Sequence, residues 1–370
     1  MFVRLVITIF LSIYSINVNA LENCKWNNKE GVPCLTVSKT PNTSIFNEKN
    51  INKKVIRKQD IISSGAIDTN DIFKFISGLD VFQSGQKGQQ TSIFTRGSES
   101  NHTLVLLNGI AINDQSVTDG LHDFGQDFVQ TIQQIEIYKG SNGAHFGPSA
   151  IAGAINFITD IDYTNSYSVN GFDKENISTD TNYTKITENG WHLNFKGSAT
   201  QARTNSSLAK GNEKDGAENF QVNLNSIKWI RDDLKFKSTI YSRKTKADYD
   251  GSATNEEGFI SDNNMYALQT GFERISKNAK SNLIFHYHNY DREYTNGTNG
   301  VLDEYDSESL VVKAETSIKQ NSKLSFGYGS EYKYDWGAFE NRGSYTASTR
   351  GHMKDLGIFA NAGFRLNNNQ

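Results

Sequence analysis

The stretch QTSIFTRGSESNHTLVLLNGIAIND, residues 90–114, followed after a polar interval by QIEIYKGSNGAHFGPSAIAGAINFIT, residues 134–159, decides the reading of this chain. Leu104-Val105-Leu106-Leu107 is too short for a helix and apolar at every position, as a strand covered on both faces must be. Asn108-Gly109 supplies the two positive-φ positions of a type I′ turn, and Ile110-Ala111-Ile112 returns as the partner strand. Glycines at 140, 143, 147 and 153 mark left-handed turns or close backbone approaches. They do not make a dinucleotide loop, because no G-x-G-x-x-G follows a strand.

These two blocks resemble the plug domain of TonB-dependent outer-membrane transporters. The family signature is an Arg-Gly after a short apolar strand, a buried strand ending in Asp-Gly, and an Ile-Glu-x-x-(Arg/Lys)-Gly run leading through Tyr-Gly to a small-residue strand. Here it is carried by Arg96, Gly97, Asn108, Gly109, Glu136, Lys139, Gly140 and Gly147. The departures are Asn108 for the usual Asp, Lys139 for Arg, Ser141 for Pro and Phe146 for Tyr.

The N-terminus reads as a secretory signal, residues 1–20. Arg4 supplies the positive region, Leu5 to Ile16 an apolar run too short to span a bilayer, and Val18-Asn19-Ala20 a cleavage site. Cys24 and Cys34, the only cysteines, then lie in an oxidising compartment, where a disulfide loop or two unpaired thiols are both open. Residues 21–52 form a flexible polar segment whose apolar patch, Leu35-Thr36-Val37-Ser38-Lys39, is similar to the family's TonB box. Such a strand engages a periplasmic partner, TonB, by adding to a sheet edge through its backbone. Residues 53–162 are then the α+β plug, in which Asp68-Thr69 caps a helix with Ile72, Phe73, Phe75 and Ile76 on its apolar face and Gly78 at its end.

From about residue 163 to 370 the texture changes to long segments of period two. In 324–336, Leu324, Phe326, Tyr328, Tyr332, Tyr334 and Trp336 share one face and polar residues the other, as in a strand dividing lipid from a watery lumen. Segments 191–202, 220–230, 234–242, 266–274, 283–292, 309–318 and 356–366 repeat the pattern. With 176–184 they predict about nine strands of a transmembrane antiparallel β-barrel. Connections 231–233, 276–280 and 319–322 are tight; 203–218, 246–263, 293–308 and 337–352 are long. This is the plan of an outer-membrane barrel rather than a soluble sandwich. Plugged barrels close with about 22 strands, so the expectation is that the protein continues for roughly a few hundred residues beyond Gln370.

With 36% hydrophobic residues and a formal net charge of −3, the chain is neither a helical membrane protein nor a nucleic-acid binder. No nucleophile elbow, zinc helix or phosphate loop is present, so no enzyme is expected. His286 and His288 share a strand face and read as lumen-facing polar residues rather than ligands. The order of plug features looks most similar to the cobalamin transporter subgroup. That resemblance implies substrate-binding roles for Gln83, Ser84, Gln86, Gln89, Asn113, Asp114 and Gln115 in two outward plug loops. It also implies calcium at aspartates of extracellular loops, here Asp215, Asp248, Asp250 and Asp262, although no cofactor is required. A ferric-siderophore or other metal-chelate receptor is the alternative ligand class, and a non-energised porin or adhesin the alternative from another class. The implied address is the outer membrane of a Gram-negative bacterium, in contact with its lipid, with the N-terminus in the periplasm.

Because strand addition needs an extended backbone with free amides, Val37→Pro is expected to abolish uptake while leaving surface binding of ligand intact. Normal transport by Val37→Pro cells would show that residues 35–39 are not the coupling strand.

Overall fold

The computed structural model describes residues 53–117, 120–140, 146–147, 149–171, 175–206, 214–250, 258–296, 300–321, 323–343 and 346–364. The signal segment, both cysteines, Leu35 to Lys39 and Gly143 lie outside the described residues.

The first unit comprises β1 (Lys53–Arg57), α1 (Lys58–Ser64), α2 (Thr69–Phe73), β2 (Leu79–Gln83), β3 (Thr91–Thr95), β4 (Thr103–Leu107), β5 (Ile110–Ala111), β6 (Gln134–Lys139) and β7 (Gly153–Ile158). A five-stranded sheet runs in the order β1-β6-β7-β4-β5, with β2 and β3 as a separate hairpin. Strand β4 lies parallel to β7, and all five of its residues are buried. Its two faces serve different cores: Val105 and Leu107 pack with Ile93, Phe124 and Ile155, whereas Leu104 and Leu106 pack with Tyr138, Ala150 and Ala154. Each such side chain contributes about 1.5–3 kcal/mol of burial, which explains the unbroken apolar run.

The Asn108-Gly109 turn has φ of 50° and 86°, as the type I′ geometry demands. Asn108 also accepts from the Thr159 amide through Oδ1 at 2.9 Å and donates from Nδ2 to Thr159 Oγ1 at 2.9 Å. The Thr159 hydroxyl can donate as well as accept, so an aspartate could keep this contact with the direction reversed, and nothing in the structure accounts for the departure from the family's Asp. At Gly153, φ is 151° and a β-carbon would stand 2.1 Å from the Tyr138 carbonyl oxygen, so only glycine lets β7 sit beside β6.

Asp68 caps α2 by accepting from the Asp71 amide at 3.0 Å. The helix stops at Phe73, shorter than the expected span to Gly78, and Phe75 is 87% exposed rather than on the apolar face. Ile72 and Phe73 alone reach the core, while Ile76 is partly buried against it. Helix α1, which carries a single buried residue, Ile61, has too little periodicity to be read in advance.

The second unit is an antiparallel meander of ten strands, one more than expected: β8 (Ser166–Gly171), β9 (Ile177–Ile186), β10 (Trp191–Asn205), β11 (Lys214–Arg231), β12 (Leu234–Asp248), β13 (Phe259–Ile275), β14 (Ala279–Asn296), β15 (Gly300–Lys319), β16 (Leu324–Asn341) and β17 (Ala347–Phe364). The added strand, β8, is six largely exposed residues with only Tyr167 and Val169 to mark an apolar face. Each strand pairs with its neighbour in sequence, and β8 and β17 stand at the edges. Strands β10 to β17 run 15–20 residues, well beyond the 9–11 or so that a tilted strand needs to cross a bilayer. Segments expected as loops are therefore strand. The expected loop 293–308 belongs mostly to β14 and β15, which pair from Ala279↔Ile318 to Asn296↔Gly300. The connections at that end are 206–213, 249–258, 297–299 and 342–346; those at the other are 187–190, 232–233, 276–278 and 320–323. The length contrast is clear for the first two pairs, absent for the third and a single residue for the fourth.

One face of this meander exposes Leu193, Phe195, Phe220, Leu224, Ile240, Leu268, Phe285, Tyr287, Phe326 and Tyr328. The other buries Asn194, Lys196, Gln221, Asn223, Arg243, Thr245, Asn263, His286 and His288. This inside-out polarity suits lipid on one side and a polar filling on the other. Among the described residues no helix is long and apolar enough to cross a membrane.

Replacing Asn108 by Val puts a β-branched side chain at positive φ and removes two side-chain bonds, so a loss of roughly 2–4 kcal/mol is expected. Asn108→Asp, whose carboxylate can accept from both the Thr159 amide and the Thr159 hydroxyl, should cost no more than about 1 kcal/mol. Denaturant unfolding of the purified full chain orders the two; equal losses would contradict the turn's role.

Candidate functional site

The plug rests on the polar face of the meander, and its contacts orient it. Toward the short-turn end, Asn225 Nδ2 donates to the Thr159 carbonyl at 2.8 Å and Gln269 Nε2 to the Asn108 carbonyl at 3.3 Å. Toward the other end, Gln89 Nε2 donates to the Asp248 carbonyl at 2.8 Å. There the backbone of Gly88 comes so close that a β-carbon would stand 2.5 Å from Ala217 Cβ and 2.9 Å from Ala247 Cβ. Likewise a β-carbon on Gly337 would meet the Gln115 carbonyl oxygen at 2.4 Å. Loops 84–90 and 113–117 thus face the end carrying connections 206–213 and 249–258.

Between these ends the seam is held by buried ionic and hydrogen-bonded ties. Asp127 pairs with Arg243 of β12 and receives His122 Nε2 at 2.7 Å; all three side chains are buried. Asp114 pairs with Arg292 of β14 at 3.0 Å and accepts from Ser307 Oγ of β15 at 2.8 Å. Tyr290 OH donates to the Ile112 carbonyl at 2.7 Å, and Gln221 Nε2 to the Phe128 carbonyl at 3.0 Å. The plug's main core runs on into Tyr241, Met265, Ala267 and Tyr290 of the wall.

The sequence-derived substrate residues therefore divide. Asn113 is buried, accepting from the Val105 amide at 2.8 Å and donating to the Gly120 carbonyl at 3.0 Å. Asp114 and Gln89 are buried and engaged with the wall as described. Asp114 and Gln89 thus meet the wall and Asn113 is bonded within the plug; composition marks a loop without telling which of its sides packs. Ser84 is exposed; Gln83, Gln86 and Gln115 are half-buried, Gln83 donating to the Gln86 carbonyl at 2.7 Å and Gln115 to the Asn113 carbonyl at 3.1 Å. Loop 84–90 is further pinned by Lys87, whose ammonium bonds Asp68 at 2.9 Å and Asp71 at 2.8 Å. Burial works against the Lys87 charge, but the two carboxylates outweigh it and raise its pKa.

Of the signature residues, Glu136 is buried and receives Lys53 Nζ at 2.7 Å, Gln134 Nε2 at 2.8 Å and Tyr138 OH at 2.9 Å. Lys139 donates to the Ser77 carbonyl; burial and then the charges of Arg96 and Lys54 lower its pKa. Arg96 and Gly97 both adopt positive φ, 54° and 77°, and Gly140 and Gly147 do likewise at 69° and 103°. Of the calcium candidates, Asp262 pairs with Lys244 at 3.1 Å, and Asp215 lies buried on β11 opposite Thr204. Among the described residues no group of three or more His, Cys, Asp or Glu is arranged to hold a metal ion. His286 and His288 are buried on the polar face, with Nε2 and Nδ1 3.1 Å apart.

Beyond the arginine row the mouth carries a feature absent from the sequence-derived set. Tyr249, Phe259, Tyr294, Tyr305 and Phe339 form a continuous arc of edge-to-face and tilted rings across β12 to β16, with centroids 4.7–5.9 Å apart. The signal was the spacing Tyr290, Arg292, Tyr294, but taking 293–308 for a loop broke the alternation at the point where the arc begins.

Residues 47–154 match the family described as TonB-dependent Receptor Plug Domain. The whole fold is similar to three solved structures. The ferric yersiniabactin uptake receptor FyuA from Yersinia pestis is 14% identical with a TM-score of 0.56, over 86% of this chain and 63% of that one. A point mutant of the ferric enterobactin receptor PfeA from Pseudomonas aeruginosa is 15% identical with a TM-score of 0.66, over 86% and 56%. The copper transporter OprC is 15% identical with a TM-score of 0.66, over 81% and 49%. The fold is thus an α+β plug of the TonB-dependent receptor kind seated on antiparallel barrel strands, and the chain spans about half to three-fifths of the length of these structures.

Removing one member of a buried pair strands the other's charge, so Asp127→Ala is expected to cost about 3–5 kcal/mol. The double variant Asp127→Leu with Arg243→Leu should recover most of that, because no bare charge remains. Thermal unfolding of the three proteins checks it; a double variant no more stable than the single would overturn the assignment of this tie.

Proposed function

We propose that this chain belongs to a TonB-dependent outer-membrane receptor that takes up a scarce metal chelate by energy-coupled transport. The observation that carries the reading is the closed seam: a polar plug fastened by side-chain ties to the polar face of lipid-compatible strands, with its outward loops at one end. In a closed barrel a plug so seated would fill the lumen and block free diffusion, so passage would require the plug to shift or remodel. Leu35 to Lys39 is the segment through which TonB would pull from the periplasm. Ligand would first meet Ser84, Gln86, Gln115 and the ring arc at the mouth. The same filling argues against an unplugged porin. A metal chelate of the siderophore kind is preferred as ligand because the proteins named above are described as a ferric yersiniabactin uptake receptor, a ferric enterobactin receptor and a copper transporter. Cobalamin, suggested by the order of plug features, is the narrower alternative.

Uptake of radiolabelled iron from a panel of ferric siderophores, and of labelled cobalamin, in cells carrying or lacking the intact gene tests this. Energy-dependent accumulation of one iron chelate, lost on deletion, is expected. Cobalamin as the sole cargo would replace the ligand class and leave the transport reading standing; equal entry of small unrelated solutes, unaffected by loss of the proton gradient, would overturn it.

A further inference from the structure

The ring arc is built on the inward positions of five adjacent strands or their ends, and its members are half-buried, so each ring packs on its neighbours and keeps part of its surface toward the mouth. One cation already uses these rings. The Arg292 guanidinium carbon lies 4.6 Å from the centroid of Tyr305 and 5.8 Å from that of Tyr294, while its charge is balanced by Asp114. Tyr305 pairs directly with Arg292 on one side and Phe339 on the other, so the ring arc begins on the rung that Arg292 itself occupies and runs outward from it.

On the inward positions around the arc, charge has one sign. From the arginine row outward, the inward positions of β11 to β16 include, among the described residues, Asp215 and Asp303 and no further Lys or Arg. Arg342, at the start of connection 342–346, is paired with Glu304 and Glu340. Aromatic faces attract cations through their quadrupole and tolerate flat neutral groups by stacking, whereas an anion meets both the negative faces and the acids.

We propose that Tyr249, Phe259, Tyr294, Tyr305 and Phe339 form a binding wall for a ligand that presents a flat or cationic group and is neutral or positively charged overall, rather than a multiply charged anion. This rests on the receptor reading above and narrows its ligand class. Arg292 carries the consequence inward: it is shared between this wall and the plug's Asp114, so a ligand seated on the rings sits one side chain away from a tie that holds the plug.

Two fluorescent probes with the same ring system and opposite charge, pyrenemethylammonium and pyrenetetrasulfonate, titrated against the purified full chain in detergent, test the proposal. The ammonium is expected to bind at least about tenfold more tightly. Tyr305→Leu and Phe339→Leu should each weaken it by about tenfold, with Tyr305→Phe close to the parent, since the ring rather than the hydroxyl acts. Equal or tighter binding of the sulfonate, or ammonium binding indifferent to both Leu variants, would overturn it. Because the titration needs neither TonB nor a proton gradient, that failure would leave energised uptake untouched, whereas loss of uptake with ring-dependent binding intact would count against the transport reading alone.

Discussion

The constraint on which the structure depends is that a polar surface removed from water must find its partners inside the protein. Strands that turn apolar side chains outward necessarily turn Asn, Thr, Lys and Arg inward, and those groups cost free energy when buried unless bonded. The plug answers this need. Its Thr159, Asn108, Ile112 and Phe128 carbonyls accept from the wall, and its Asp114 and Asp127 carboxylates meet Arg292 and Arg243. A seam held by hydrogen bonds and ion pairs, with two apolar clusters running across it, is specific in register yet separable, because each polar tie exchanges readily for water once the seam opens.

Two tiers follow from that arrangement. The tier holding the plug uses charge, placed where neither partner sees solvent. The tier above it uses rings, placed where one side is packed and the other open. Arg292 belongs to both, stacked on Tyr305 and Tyr294 and paired with Asp114. Close approaches at Gly88 and Gly337 set the distance between plug and wall on the same level.

The legible parts of the chain were those in which local chemistry determines geometry. The all-apolar Leu104 to Leu107 strand, the Asn108-Gly109 turn and the cap at Asp68 could each be read from a few neighbouring residues, and the alternating segments from period two alone. Strand ends were less legible. Residues 293–308 are rich in charge and polar groups, which marks them as solvent-accessible, but a strand projecting past a membrane has the same composition as a loop. The added β8 and the loss of Phe75 from its helix face have the same origin, since too few residues carry the pattern. The seam was hidden for a different reason: Asp127 with Arg243 and Asp114 with Arg292 are 116 and 178 residues apart, and nothing local distinguishes a loop aspartate that faces a wall from one that faces water. Gln89, Asn113 and Asp114 were recognised as loop residues, while the burial of their side chains was not.

The central claim is that the plug must move against this wall for cargo to pass. It is tested most directly by joining the two across the seam, with Gly88→Cys and Ala247→Cys in a chain whose Cys24 and Cys34 are serine. A β-carbon on Gly88, where φ is 82°, would stand 2.9 Å from Ala247 Cβ and 2.5 Å from Ala217 Cβ, so an opening of about 1–1.5 Å is needed both to clear Ala217 and to reach the separation a disulfide prefers, roughly 3.8 Å. With the bond formed, ligand should still bind at the cell surface while energised uptake stops, and a reductant should restore uptake. Undiminished uptake through the oxidised, cross-linked protein would contradict the account.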